Sequence, residues 1–429
     1  MRHFRQLSLV LRQIARRHRE LFKAANWVWF CLTIIPTCIL VFTGKLIDAL
    51  IPKRADLWLF PTHFYTHEFA DNTRAVFEAV KADPAICKVI LTRGRPVLVP
   101  DDAVAADVLP MVSLRAVWRI LRAKVLFVEH SLHLDFAPLR THNLFFFTVS
   151  LRKIVNVWHG VPIKALDHRS SGMGIRPIHA ELPHHHVVAS SRIDRLAMAN
   201  AFYPLDPNRV HVTGIPRNDF LIRPEHELPE YYRAQLAKIR EMRRGRKLIL
   251  YAPTYRELQF GGTYYEFLEV EIERLKRMLR EHDAVLGVRM HYHNRPSRAV
   301  QLVDGDLIQD LDHAVVPDLG MIIRESHTII TDYSGLVVDA IYLDKPVIAF
   351  AYDRKHYNDT QRGFIYPLEL IFPASICETF DQLDRTLGLI LQGDQSTAFK
   401  AGAAKQIFFD HVDDRNSARV VELVRALTA

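Results

Sequence analysis

Ten short β-rich runs separated by helical stretches constrain this chain more than any other feature. They are Leu57–Phe60, Val89–Thr92, Val125–Val128, Ile154–Val157, Val187–Ala189, Val210–Val212, Leu248–Tyr251, Val285–Val288, Thr328–Ile330 and Val347–Phe350. Strands joined through helices need crossover connections, and crossovers build parallel sheets. Between the sixth and seventh runs, residues 221–246 are polar and charged and contain Pro224 and Pro229, which reads as a linker. A chain of 429 residues exceeds one ordinary core. The expected fold is therefore α/β, with two doubly wound, Rossmann-type domains (51–220 and 247–429) facing across a cleft. The second would carry a C-terminal helix.

Residues 1–50 read differently. Arg2, Arg5, Arg12, Arg16, Arg17, Arg19 and Lys23 stand against Glu20 alone, so residues 1–25 supply +6 of the net +8. A nucleic-acid enzyme spreads its basic surface along a groove, whereas the remaining chain carries only +2. Phe4, Leu7, Leu11, Ile14 and Leu21 follow helical spacing opposite the arginines, as in a helix lying on anionic lipid. An almost uncharged stretch from Trp27 to Thr43 follows, broken by Pro36. Its length is at the lower limit for a span, so the reading favours a shallow or re-entrant membrane segment, followed by a span and then a buried helix. The charged region ahead of it is too long for a cleaved signal peptide. The four cysteines form no CxxC pair, which fits a reducing compartment.

Chemistry concentrates where apolar runs stop. The blocks are Val157-Trp158-His159-Gly160, Tyr251-Ala252-Pro253-Thr254-Tyr255, Arg289-Met290-His291 and Thr331-Asp332-Tyr333-Ser334. Ligands of open α/β sheets bind beyond the carboxyl ends of the strands, where these blocks fall. Ser334 is expected to cap the helix beginning near Leu336, whose amides would face an anion. Gly160 lets the chain turn sharply after His159, and a neutral imidazole there can take a proton from a hydroxyl. Arg289 would lower the proton affinity of the neighbouring His291 or share a phosphate with it. Asp353, Tyr357, Arg362 and Gly363 occupy the loop after the last apolar run, with Arg362 as an anion clamp. The adjacent His184–His186 point to alternate faces of a strand and make a poor metal site. No metal is expected.

Together these blocks resemble the CDP-glycerol glycerophosphotransferases of teichoic-acid and capsule synthesis. The family's WHG block is matched by Trp158-His159-Gly160, with Pro162 and Lys164 following. Its G-x-PRND block is matched by Gly214-Ile215-Pro216-Arg217-Asn218-Asp219, and its YAPT-x-R block by Tyr251–Thr254 with Arg256. Thr331–Ser334 match TDYS, and Asp353, Tyr357, Arg362, Gly363 and Phe364 match the D-x-x-x-Y…RG-F loop. Asp71-Asn72 looks like an early DN pair. Gly335 stands where the family has a second serine, Tyr292 where proline commonly follows the histidine, and Asp413-Asp414 where Asp-Gly is usual.

The resemblance implies a GT-B-like fold and transfer of a polyol phosphate from CDP-glycerol or CDP-ribitol to a lipid-linked saccharide, with release of CMP. His159 would be the base. His291 would be the second catalytic residue, stabilising the diphosphate with Arg289, and Arg289, Thr254, Thr331, Asp332, Ser334, Gly335, Asp353, Arg362 and Gly363 would bind the donor, with no cofactor. The enzyme would work at the cytoplasmic face of the membrane. Two other readings compete: a GT-B glycosyltransferase using a nucleotide sugar, and a non-catalytic binder of saccharide lipids.

Overall fold

In the computed structural model the described residues are 34–97, 99–100, 102–141, 144–164, 182–202, 204–256, 264–290, 302–360, 363–372, 375–394, 402 and 404–429. The basic helix expected before residue 34 lies outside them, as do His291 and Arg362. Two parallel sheets carry the fold. In spatial order the first holds Ala106–Pro110, Cys87–Thr92, Arg54–Pro61, Ala123–Val128, Lys153–Asn156, His185–Ala189 and Val210–Val212. The second holds Ile308–Asp310, Ala284–Val288, Lys247–Tyr251, Thr328–Thr331, Val347–Phe350 and Ile376–Cys377.

Both sheets place their earliest strand in the interior and reverse direction beside it. The reversal falls between Arg54–Pro61 and Ala123–Val128 in the first sheet, paired at Leu59 and Leu126. In the second it falls between Lys247–Tyr251 and Thr328–Thr331, paired at Leu250 and Ile329. At such a switch point the helices on either side diverge and leave a crevice above the strand ends.

The middle residues of the central strands, such as Leu57–Phe60, Leu248–Leu250 and Ile329-Ile330, are apolar because both faces are covered. In the first sheet Phe60 stacks on Phe127 at 4.7 Å between ring centroids. Each expected run became a strand. The additional edge strands Ala106–Pro110, Ile308–Asp310 and Ile376–Cys377 are short, and two of them carry Asp107 or Gln309 and Asp310, which hid them.

Two differences from the sequence reading have physical causes. The segment expected as a linker contains the helix Glu230–Arg243, and Leu228, Tyr232, Leu236 and Ile239 pack with Leu248, Leu250 and Ile329 under the second sheet. The C-terminal helix Asn416–Thr428 joins the first half. Asp219 caps its start, taking the amides of Asn416 and Ser417 at 2.9 and 2.8 Å. Gly214 (φ +80°) allows this approach, since a Cβ there would lie 1.8 Å from Asn416 Oδ1.

A helix over 34–50 precedes the first strand. Asp48 is buried on it, bonded to Arg152 Nη2 at 2.7 Å and to the Thr148 amide at 2.7 Å. Ile35, Ile39, Phe42, Leu46 and Leu50 form an exposed apolar stripe. Among the described residues no helix is long and apolar enough to cross a membrane.

Candidate active site

The first switch point ends in Thr62-His63 on one strand and Glu129-His130 on the other, with Trp158-His159-Gly160 following the next strand. Trp158 adopts φ +53° and Gly160 φ +135°, so the chain turns sharply around His159. Four side-chain contacts hold that turn. Asn156 Oδ1 accepts from the Trp158 amide at 2.9 Å, and Asn72 Nδ2 donates to the Trp158 carbonyl at 2.9 Å. Arg217 Nη1 donates to the His159 carbonyl at 3.0 Å, while the Arg217 amide donates to Asn72 Oδ1 at 2.9 Å. A Cβ at Gly160 would come within 2.9 Å of Arg217 Nη2. The DN and PRND blocks, read from sequence only as motifs, thus position the histidine.

Arg217 also links the two halves. It binds Asp71 through Nη1 at 3.1 Å and Asp339, on the second half's helix Leu336–Tyr342, through Nη2 at 2.7 Å. Burial would lower the Arg217 pKa, but the Asp339 and Asp71 carboxylates raise it, so the guanidinium stays charged. Asp71 itself sits at φ +61°, a left-handed conformation that costs a non-glycine residue of order 1–3 kcal/mol.

His159 is open to solvent, yet protein surrounds it closely, as on the floor of a cleft. Its Nδ1 lies 3.2 Å from the Glu129 carbonyl. A carbonyl can only accept, so Nδ1 carries the proton and Nε2 keeps a lone pair. The ring stacks on His130 at 4.8 Å. Surrounding protein and the neighbouring His130 push its pKa down to about 3. It is neutral at pH 7, the form a general base needs. His63, across the crevice, is held at about 4 by burial and the same His130. Burial and the Asp71 carboxylate raise the Glu129 carboxyl well above the usual range.

The second switch point is built from the other expected residues, which bind mainly one another. Asp332 Oδ1 accepts from the Thr254 and Tyr333 amides at 2.8 and 2.5 Å, and Oδ2 accepts from Arg256 Nη2 at 2.7 Å. Asp353 Oδ1 accepts from the same Nη2 at 3.2 Å and from the Tyr333 hydroxyl at 2.9 Å. Thr331 donates its hydroxyl to the Ala252 carbonyl at 2.7 Å. Arg256 is fully buried, its guanidinium 5.2, 5.7 and 4.9 Å from the rings of Tyr333, Tyr352 and Tyr357.

Against the expectation of phosphate contacts, Thr331, Asp332 and Asp353 form a scaffold fixing the loop ends. Arg289 departs from it too: its Nη atoms hold the carbonyls of Leu311, Val316 and Pro317 at 2.8, 2.5 and 2.8 Å. Ser334 is not the cap. The seven-residue helix Leu336–Tyr342 has Gly335 at its N-cap, and Ser334 Oγ is 3.5 Å from the Leu336 amide.

What this scaffold presents to the cleft is small. The Thr254 hydroxyl is buried with no partner among the described residues. Gly335 lies against the Val161 carbonyl, which a Cβ would meet at 3.4 Å. Beyond Gly363, Phe364 bridges to Lys164 and the Ile365 amide donates to the Ile163 carbonyl at 3.0 Å, joining the halves just past the His159 turn. Asp353, Tyr352 and Glu369 border a cavity of about 1170 Å³, which Phe364 and Ile365 of that loop also line. His184–His186 stay apart from all this: His186 Nδ1 lies 3.1 Å from His211 Nε2 at the opposite ends of the strands.

Two three-layered halves with facing switch points define a GT-B-like α/β architecture. Within it, residues 46–426 match the family model of the CDP-Glycerol:Poly(glycerophosphate) glycerophosphotransferases, and the chain belongs to that family. It is 29% identical over 313 residues to the teichoic acid ribitol-phosphate polymerase TarK of Staphylococcus aureus (strain NCTC 8325 / PS 47), which covers 70% of this chain and 56% of the relative. The chain thus spans little more than half of that protein's length. With the teichoic acid ribitol-phosphate primase of Bacillus spizizenii (strain ATCC 23059 / NRRL B-14472 / W23) it shares 24% identity over 398 residues, 89% of this chain and 93% of the relative. The solved structure of the wall teichoic acid polymerase TagF superposes with a TM-score of 0.69 at 21% identity, over 91% of this chain and 92% of that one, a likeness of fold.

Proposed function

We propose that this chain transfers a polyol phosphate, glycerol phosphate in the first instance, from a CDP-polyol to a hydroxyl of a lipid-linked saccharide or growing polymer. The observation that carries the reading is the tautomer of His159, whose Nε2 lone pair is left for the cleft by the Glu129 carbonyl on Nδ1. The acceptor oxygen attacks the polyol-bearing phosphorus, its proton passes to Nε2, the diphosphate P–O bond breaks, and CMP leaves. Such a displacement depends on positioning and on neutralising the diphosphate. The Thr254 hydroxyl, Ser334, Gly335 and Gly363 line the donor side. His291 and Arg362, assigned by family resemblance, complete it.

The test is product analysis with CDP-glycerol, CDP-ribitol and nucleotide sugars, each with a saccharide-lipid acceptor. CMP formed only with acceptor and a CDP-polyol is the expected result. A nucleoside diphosphate released from a sugar donor would sink the proposal and favour glycosyl transfer.

The enzyme would work on the cytoplasmic face of the membrane, held there in part by the exposed stripe of the 34–50 helix. Apolar area of this kind, with basic residues nearby, suits the lipid interface. Phe42→Asp should weaken sedimentation with anionic vesicles, and unchanged sedimentation would place the contact elsewhere.

A further inference from the structure

We propose that His63, Glu129 and His130 form a binding site for a divalent transition-metal cation of the zinc class, with a fourth position open to the cleft. The three residues sit at the carboxyl ends of the two strands that flank the first switch point, where this fold leaves its crevice. Their donor atoms all lie within 4.8 Å of one another. Around tetrahedral zinc, with bonds of about 2.0–2.1 Å, ligand atoms stand about 3.3 Å apart, so small side-chain rotations close the set. The His63 and His130 rings meet at 67° with centroids 5.1 Å apart, edge to face rather than stacked.

His130 and Glu129 are prepared by their neighbours. His130 Nδ1 lies 3.3 Å from Asp135 Oδ1, and Asp135 Oδ2 is fixed by the Glu129 and His130 amides at 2.8 Å each. A carboxylate on Nδ1 keeps the proton there and leaves Nε2 as the donor, the second-shell arrangement metal-bound histidines use. Glu129 is 1% exposed and offers Oε1 to the Thr73 amide and hydroxyl at 2.9 and 2.8 Å. Its other oxygen remains for a ligand. Among the described residues no basic side chain pairs with Glu129, although Asp71 is close enough to act on it. A buried carboxylate without a counter-charge is costly, and a bound cation supplies one. The Thr66 amide donates to His63 Nδ1 at 3.3 Å, and the Thr66 hydroxyl lies 3.2 Å from the same atom. Coordination through Nε2 would move the ring proton to Nδ1, where the Thr66 hydroxyl can turn to accept it in place of the amide contact.

Two imidazole nitrogens with one carboxylate oxygen select zinc or cobalt over magnesium and calcium, which prefer oxygen alone. His159 stacks on His130, so an oxygen held at the open position would lie beside the proposed base.

The experiment uses the metal-stripped full chain, titrated with Co2+ and followed by visible absorption, then with Zn2+ by calorimetry. One ion per chain is expected, with Co2+ bands of four-coordinate character. His63→Gln combined with His130→Ala should weaken uptake at least 100-fold, and Asp135→Asn about 10- to 100-fold. His211→Ala, outside the site, should change nothing. If the double variant fails to fold, by circular dichroism, His63→Gln alone carries the test. Uptake unchanged in the folded variants, no saturable uptake, or equal preference for Mg2+ would each overturn the proposal. None of these readouts needs donor, acceptor or turnover, so the site and the transferase reading fail separately.

Discussion

The two switch points share a topology and put their ionisable residues to opposite uses. Above the second sheet, Arg256 is fully buried between Asp332 and Asp353, and the charges of the cluster answer one another. Above the first, Glu129, His63, His130 and His159 gather with no basic side chain paired to Glu129 among the described residues. Arg217 is given to Asp71 and Asp339 at the edge. Among the described residues, one crevice commits its charged side chains to one another. The other is incomplete and invites a ligand. Family motifs fall on both, so a motif residue can be either scaffold or machinery.

That contrast predicts a double dissociation. His159→Ala should lower turnover by roughly 100- to 10,000-fold with the donor saturating and leave the unfolding midpoint unchanged; near-wild-type turnover would remove His159 from the chemistry. Arg256→Ala should do the reverse first, leaving two buried carboxylates uncompensated. A loss of about 3–5 kcal/mol in denaturant unfolding is expected, and a loss under about 1 kcal/mol would mean the cluster is not the scaffold described. Tyr333→Phe removes only the bond to Asp353 and should cost about 1–2 kcal/mol by the same assay.

The smallest effect is in pH dependence. The folded-state pKa of His159, about 3, lies below its ordinary 6.5, so the unfolded chain takes the proton first. The stability this contributes is complete above pH 6.5 and is lost as pH falls towards 3. His159→Asn should therefore lose stability less steeply than the wild type across that window. The difference should stay below about 1 kcal/mol, because the ring is open to solvent. Parallel curves would show that the histidine is not depressed.

Strand cores and the positions of the motif blocks were legible because apolar runs and their ends are local features. Partnership was not. Nothing near Asp332 in sequence announces Arg256, which lies 76 residues earlier, so a carboxylate beside a strand end read as a ligand contact. The first switch point had a usable signal: His63 lies three residues past the run Leu57–Phe60, and Glu129-His130 come directly after Val125–Val128. Weighing every strand end, rather than those with recognisable blocks, would have found them. Ser334 was displaced as a cap because the helix begins at Leu336, which puts Gly335, already right-handed at φ −60° and ψ −14°, at the N-cap position.

The docking of Asn416–Thr428 against the first half bears on how the protein is made. Val420, Val421 and Val424 complete the core that Val76, Phe77 and Val80 begin, and Arg425 pairs with Asp83. Domains usually fold as units while still emerging from the ribosome, the earliest first. Here the first half must wait for residues translated more than 200 positions after Val212, its last strand residue. Until then its layer beside Asp219 stays open, and a nascent chain arrested before residue 416 would expose apolar surface to chaperones rather than hold a finished domain.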